Sequence, residues 1–142
     1  LEEAIPKVHE FLAKNGLFKS EFIFMSCGDF DGHKIRAEAL HKNIKLPNYL
    51  KRWINLKRVF PLHLFDKKEE EVKVSFIKDQ TGPCKVKGME HMLGLVGLEL
   101  EGTHHSGIDD SKNIARVALK VLETGYVFHQ GMVLSHPFSS GM

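Results

Sequence analysis

The sequence predicts an α/β domain, on three observations. Its 142 residues are enough for one hydrophobic core and too few for two comfortable ones. Apolar residues recur at helical spacing in several segments, and the short apolar or alternating runs between them are typical of strands. The two kinds of segment alternate along the chain, which is the pattern of an α/β fold.

The first half of the chain is predicted to run helix, strand, helix, strand. Residues 5–12 carry apolar side chains at helical spacing, and the Asn-Gly pair at 15–16 is a good helix stop. Residues 22–25 form a short apolar run, which is consistent with a strand buried on both faces. A second helix is predicted over residues 33–41, and a second strand over residues 53–56.

The second half contains a predicted insertion and two helices. We place the insertion at about residues 64–86, because it contains a charged turn and a half-exposed alternating strand at 72–76. Apolar residues at 89–96 predict a short helix. Residues 114–122 have the strongest helical periodicity in the chain, with Asp109 or Asp110 as candidate caps and Gly125 as a stop.

Composition and charge exclude several classes of protein. The hydrophobic fraction of 42% and the charged fraction of 27% are ordinary for a globular domain, and no apolar run approaches the ~20 residues of a membrane span. The net charge of +2 permits a nucleic-acid partner without requiring one. Cys27 and Cys84 lack the spacing of a zinc site, so reduced intracellular thiols are the plainer reading. The N-terminus has no signal-peptide pattern, and because it begins at Leu1 without an initiator Met, we expect a fragment or a processed chain.

The sharpest chemical cluster lies at residues 102–116. His105 precedes Asp110 by five residues, and Asp110 opens the strongest helix. In phosphodiester hydrolysis a carboxylate can hold a divalent metal, and a histidine can take a proton from water near neutral pH. The competing reading makes Asp109 and Asp110 helix caps and the histidines surface residues, and the spacing taken alone favours it.

Three segments, in the right order, resemble the DEDDh exonucleases, in particular the enhanced-RNAi and prion-interactor exoribonuclease branch. Residues 105–116 (His-Ser-Gly-Ile-Asp-Asp-Ser-Lys-Asn-Ile-Ala-Arg) resemble the third motif, residues 27–31 (Cys-Gly-Asp-Phe-Asp) the second, and residues 49–57 the strand segment between them. The resemblance implies an RNase H-like exonuclease fold, a mixed sheet flanked by helices, with the N-terminal strands missing. It implies a partial exonuclease domain at 1–130 and a loose tail at 131–142.

The resemblance also assigns roles to individual residues. Asp31 and Asp110 match metal-binding carboxylates for Mg²⁺ or Mn²⁺, with two ions expected in a complete domain, and His105 matches the general base. Asp109 is expected to be a capping neighbour, and His104 is assigned no chemistry. The candidate nucleic-acid contacts are Lys112, Asn113 and Arg116. The alternative for the basic residues is an ordinary solvated helix face.

Two departures from the family pattern bear on function. The first motif, an Asp-x-Glu on a strand, is not found before Asp31, so half of the expected metal carboxylates are missing. The second departure is Thr103, which stands where the family has an arginine that can bind phosphate with two hydrogen bonds. We expect a metal-dependent 3′–5′ exoribonuclease acting on an RNA 3′ end, single-stranded or stem-loop, with this chain poorly active alone. The alternatives are a catalytically degenerate RNA- or protein-binding relative and an incomplete product without a stable fold. The expected location is intracellular, in cytoplasm or nucleus, with no membrane partner; no protein partner is indicated.

Overall fold

The computed structural model of the chain describes residues 1–65 and 85–135. Within those residues the α-helices and strands, in chain order, are α1 (Ala4–Lys14), β1 (Phe24–Ser26), α2 (Phe30–His41), β2 (Arg52–Asn55), α3 (Leu56–Val59), α4 (Met89–Leu95), α5 (Gly107–Glu123) and β3 (Val133–Ser135). Single 3-10 turns occupy Leu17–Lys19, Asn48–Leu50, Leu62–Leu64 and Gln130–Met132. The predicted strand at 72–76 and most of the predicted insertion lie outside the described residues.

The strands form one sheet in the order β1-β2-β3. Together with the helices this confirms the predicted mixed α/β class. Within the described residues the chain divides into two compact units: the first comprises Leu1–Phe24, Asp29–Trp53 and Ser135, and the second comprises Met25–Gly28 and residues 54–65 and 85–134. No helix within the described ranges is long and apolar enough to cross a membrane.

The first unit contains a cluster of aromatic rings around Tyr49. The Tyr49 ring lies 5.7, 5.8 and 6.0 Å from the rings of Phe18, Phe22 and Phe24, and its hydroxyl is 3.1 Å from His9 Nδ1. These spacings are those of favourable tilted and edge-to-face ring pairs. The prediction that the first strand is buried on both faces is wrong: β1 is half-buried, because its Phe24 packs on a tyrosine that is only half-buried itself.

The second unit has its core where α4 and α5 pack together. Met92 and Leu93 of α4 and Val117 and Val121 of α5 are at most 1% exposed. They are the apolar positions that the helical spacing predicted to face inward. Helix α5 begins at Gly107, before both predicted caps, Asp109 and Asp110. Its first two turns are mainly polar and carry site residues, so the apolar period does not mark its start.

The first residues of the predicted loose tail at 131–142 are ordered. Gln130–Met132 forms a 3-10 turn and Val133–Ser135 forms β3. Met132 is 2% exposed, so burial of an apolar side chain orders a segment whose small and polar neighbours indicated coil. Residues 136–142 of the predicted tail lie outside the described residues.

Candidate functional site

His105 and Asp110 are brought together at the N-terminus of α5. The backbone N–H of His105 donates a hydrogen bond to Asp110 Oδ1 over 3.1 Å. Asp110 lies in the first turn of the helix, where the helix dipole favours a carboxylate. His105 has a positive φ of 68°, an uncommon conformation for a residue with a side chain. The Asp110 carboxylate therefore helps to hold the His105 backbone in an unfavourable conformation.

The Asp109 side chain binds the backbone of the loop that precedes α5. Its Oδ2 accepts a hydrogen bond from the backbone N–H of Thr103 over 2.9 Å. The N-cap position of α5 is Ser106, whose side chain makes no capping hydrogen bond. Neither Asp109 nor Asp110 is the N-cap residue of α5, so the prediction that one of them caps the helix is wrong, and Asp109 holds the loop backbone at Thr103 instead.

His104 is a site residue to which the sequence assigned no chemistry. Its Nδ1 lies 3.7 Å from Asp110 Oδ1, and its ring centroid is 3.9 Å from that of His105. The contact with Asp110 becomes an ion pair only when the His104 imidazole is protonated. The adjacency of two histidines before an aspartate was the available signal, but spacing alone does not show which ring faces the carboxylate.

The prediction that Asn113 contacts nucleic acid is corrected by its burial. Its side chain is 0% exposed, so it cannot reach a nucleic acid at this surface. Its Nδ2 donates to the carbonyl of Glu101 over 3.0 Å. Arg116, predicted as a phosphate contact, donates to Glu99 O and Asn113 Oδ1, each over 2.8 Å. Lys112 is exposed on the same helix, and its nucleic-acid role stays a prediction.

Asp31, the remaining predicted site residue, belongs to the first unit, whereas His105 and Asp110 belong to the second. It is exposed in the first turn of α2. The turn before it is fixed by Trp53, whose Nε1 donates to Asp29 Oδ1 over 2.9 Å. Asp29 occupies the N-cap position, and the Trp53 ring packs against Gly32. The metal-binding role of Asp31 stays a prediction.

Asn55, a second buried asparagine, fixes Gly28 in the segment 27–31 that resembles the second motif. Asn55 is 1% exposed, and its Oδ1 accepts hydrogen bonds from the backbone N–H groups of Gly28 and Lys57, over 2.9 and 3.0 Å. Gly28 has a φ of 113°, which glycine adopts without strain. The sequence reading used the glycine as a motif position and missed the asparagine that holds it.

No family model matches the chain, but individual relatives do. An uncharacterised exonuclease domain-containing protein of Arabidopsis thaliana is 36% identical over 105 residues, covering 73% of this chain and 26% of the relative. ERI1 exoribonuclease 3 of Homo sapiens is 29% identical over 141 residues, covering 97% of this chain and 36% of the relative. The chain thus spans about a quarter to a third of the lengths of these relatives.

Solved structures of exonucleases share the fold of this chain. The nuclease domain of 3′hExo, a DEDDh family member bound to rAMP, superposes with a TM-score of 0.63 at 25% identity, covering 87% of this chain and 55% of that one. A 3′-exonuclease described as recognising the histone mRNA stem-loop superposes with a TM-score of 0.60 at 23% identity and covers 99% of this chain. The chain therefore has the fold of the DEDDh-family exonucleases. It is a homologue of the 3′–5′ exoribonucleases named ERI1 exoribonuclease and 3′-5′ exoribonuclease 1, as the motifs predicted.

The DEDDh exonucleases are generally dependent on divalent metal, and the donor set of this chain fits such an ion only in part. Carboxylate oxygens are the donors that Mg²⁺ and Mn²⁺ prefer, and Asp110 fits in type. The number of donors does not fit. Within residues 1–65 and 85–135 no three histidine, cysteine, aspartate or glutamate side chains approach closely enough to hold a metal ion together. The described residues of this chain do not by themselves build a metal site.

Proposed function

We propose that this chain is part of a 3′–5′ exoribonuclease domain that removes nucleotides from an RNA 3′ end. The observation that carries the proposal is the His105–Asp110 pair, held at 3.1 Å between backbone N–H and carboxylate in a chain homologous to 3′–5′ exoribonucleases. In this proposal the His105 imidazole takes the proton of the attacking water, which a histidine does efficiently near neutral pH.

Asp31 and Asp110 are proposed as two of the carboxylates that hold Mg²⁺ or Mn²⁺ in a complete, two-ion domain. A bound divalent ion supplies phosphate polarisation in such enzymes. Because the recognised motifs supply half of the carboxylates expected in a complete domain, we expect this chain to bind metal weakly and to be poorly active alone. The chain's match to only 55% of the 3′hExo nuclease domain supports a larger active unit.

The substrate class proposed is RNA with a single-stranded or stem-loop 3′ end. Two solved relatives support it, one bound to rAMP and one described as recognising the histone mRNA stem-loop. Lys112, exposed on α5 near Asp110, is the proposed phosphate contact. Cytoplasm or nucleus is the proposed location, since these compartments contain the substrate.

The test is degradation of a 5′-labelled single-stranded RNA with Mg²⁺ or Mn²⁺. It is run on the 142-residue chain and on the longest protein that its gene encodes. Asp110→Asn is the informative variant, because it keeps an acceptor for the His105 N–H and removes the charge. Glu123→Gln, an exposed acidic position of the same helix, is the matched control.

We expect a ladder of 3′-shortened products from the longer protein, a weak ladder from the chain, and loss of both in Asp110→Asn but not in Glu123→Gln. A folded longer protein that binds the RNA without trimming it would establish the degenerate, RNA-binding alternative in place of the enzyme. Trimming that survives Asp110→Asn would show that the site has been assigned to the wrong carboxylate.

A further inference from the structure

The loop that carries His104 and His105 is fixed from one face of α5. Residues 99–106 contain no helix or strand, so the loop depends on side chains for its position. Four residues of the helix supply them, and their positions, 109, 110, 113 and 116, fall on neighbouring turns of one helix face. Two of the four, Asp109 and Asp110, hold the end of the loop, as described above.

Asn113 holds the beginning of the same loop by both of its polar atoms. Its Nδ2 donates to the carbonyl of Glu101 over 3.0 Å, and its Oδ1 accepts from the Glu101 N–H over 3.4 Å. Both backbone groups of one loop residue are thus bound to one side chain. Because Asn113 is fully buried, loss of the bond from Nδ2 to the Glu101 carbonyl removes a partner from a buried amide, which is costly.

Arg116 completes the attachment with three contacts. Its Nη1 donates to Glu99 O and to Asn113 Oδ1, each over 2.8 Å, and its Nη2 lies 3.3 Å from Glu101 Oε1. A planar guanidinium can meet several acceptors at once, which a lysine ammonium cannot do with the same geometry. Arg116 therefore orients the Asn113 amide and fixes residues 99–101 together.

We propose that Asn113 and Arg116 are positioning residues for His105. They fix the start of the loop while Asp109 and Asp110 fix its end, so the His105 backbone is held at both sides in its positive-φ conformation. The inference rests on the proposed function, because it assumes that His105 acts in the reaction. It also reassigns two residues that the sequence placed at the nucleic acid.

The test measures the loop without RNA or metal. Arg116→Met removes the donors and the charge and keeps much of the side-chain length. Asn113→Asp keeps the Oδ1 acceptor and removes the donor to Glu101 O. Arg116→Lys is the conservative variant, and Lys120→Met is the matched control, because Lys120 is on the same helix and pairs only loosely with Glu123, at 3.6 Å.

The readouts are amide hydrogen exchange at Thr103 and His105, beside exchange in the middle of α5. We expect both loop amides of Arg116→Met to exchange about tenfold faster or more. We also expect unchanged exchange at Val117 and Val121 and partial recovery in Arg116→Lys. Lys120→Met should behave as the unmodified protein. If Asn113→Asp does not fold, Arg116→Met alone decides.

The proposal is overturned if loop and helix amides accelerate together, because that outcome means a general loss of stability. It is also overturned if Arg116→Met leaves Thr103 and His105 unchanged. These readouts require no catalysis. If the longest protein that the gene encodes does not trim RNA while Arg116→Met selectively loosens the loop, the nuclease function is refuted and the positioning of the His105 backbone stands. In an active preparation, kcat should fall by roughly 10- to 100-fold in Arg116→Met, with KM unchanged.

Discussion

Gly102 adopts a left-handed conformation, with a φ of +77°, and the Asp109 carboxylate fills the space that a side chain would need. The two features act on one turn, since Asp109 also accepts the N–H of Thr103. A residue with a Cβ at position 102 would be strained and would displace the carboxylate that closes the loop. The glycine is therefore required by the conformation of the loop that carries the histidines.

We expect Gly102→Ala to destabilise the protein by at least about 1–2 kcal/mol, since the left-handed backbone alone costs roughly that amount for a residue with a Cβ. Gly107→Ala is the matched control, because a Cβ at Gly107 meets nothing within 4 Å and that residue begins a helix. Urea unfolding of both variants measures the difference. Equal midpoints for the two variants would contradict the account of Gly102.

The two adjacent histidines are expected to differ in the reaction. If His105 is the general base, His105→Gln should lower the rate of RNA trimming by about 10²- to 10⁴-fold. His104→Gln should have a smaller effect, since it removes only a contact of 3.7 Å with Asp110. Single-turnover trimming by the longest protein that the gene encodes measures both, and a larger loss in His104→Gln would exchange the roles of the two residues.

At the scale of the element, α2 and α5 each present a candidate site residue in the first turn. Helix α5 is anchored by core residues such as Val117 and Val121, which lie well after the site residues. Helix α2 has a single buried residue, Ala39, and its start is set by Trp53, through Asp29 and through close packing on Gly32. The first turn of α2 therefore depends on one aromatic side chain.

We expect Gly32→Ala to disturb this start, because the new Cβ would lie 2.9 Å from atoms of the Trp53 ring. Overpacking of this kind costs about 1–3 kcal/mol. Gly94→Ala is the control: it is also a helical glycine, with nothing within 4 Å of a new Cβ, and alanine there should be neutral or favourable. Trp53 is the chain's one tryptophan, so its fluorescence reports the disturbance directly. An unchanged emission spectrum and unfolding midpoint in Gly32→Ala would show that the helix shifts without cost.

For the molecule as a whole, the stability at alkaline pH should depend on Tyr126. Partial burial raises the pKa of the Tyr126 hydroxyl above its usual value of 10.0, and this hydroxyl donates to Val59 O over 3.4 Å. A group whose pKa is raised in the folded state stabilises it fully below the unfolded pKa. That contribution is lost as the pH rises through the folded pKa.

We therefore expect the free energy of unfolding to fall as the pH rises above about 10. Tyr126→Phe should be less stable at neutral pH, because the hydrogen bond is lost, and should show a shallower alkaline fall. Tyr49→Phe is the comparison: burial also raises the pKa of Tyr49, but its hydroxyl lies beside His9 Nδ1 and not beside a backbone carbonyl. Denaturant unfolding between pH 8 and pH 11 measures both, with the range set around the ordinary tyrosine pKa of about 10. Identical slopes in Tyr126→Phe and the unmodified protein would refute the assignment.

The sequence by itself determined the elements that depend on local spacing. The period of apolar residues predicted α1, α4 and α5, and the inward positions Met92, Leu93, Val117 and Val121 are buried as expected. The motif around His105 and Asp110 predicted the exonuclease relationship, because a family motif is a short run of residues that can be compared without a structure. The metal-binding role of Asp31, inferred from a motif in the same way, stays a prediction.

Only the tertiary structure decided what holds these residues. The contacts between Asn113 and Glu101, Trp53 and Asp29, and Asn55 and Gly28 join positions 12, 24 and 27 residues apart. A polar side chain reads from sequence as solvated or as a ligand contact, and whether it is instead buried depends on which distant backbone group it meets. That pairing is fixed by packing of the core, and no local period encodes it. For this reason the sequence predicts a nucleic-acid contact at Asn113, whereas the structure buries its side chain against the Glu101 backbone.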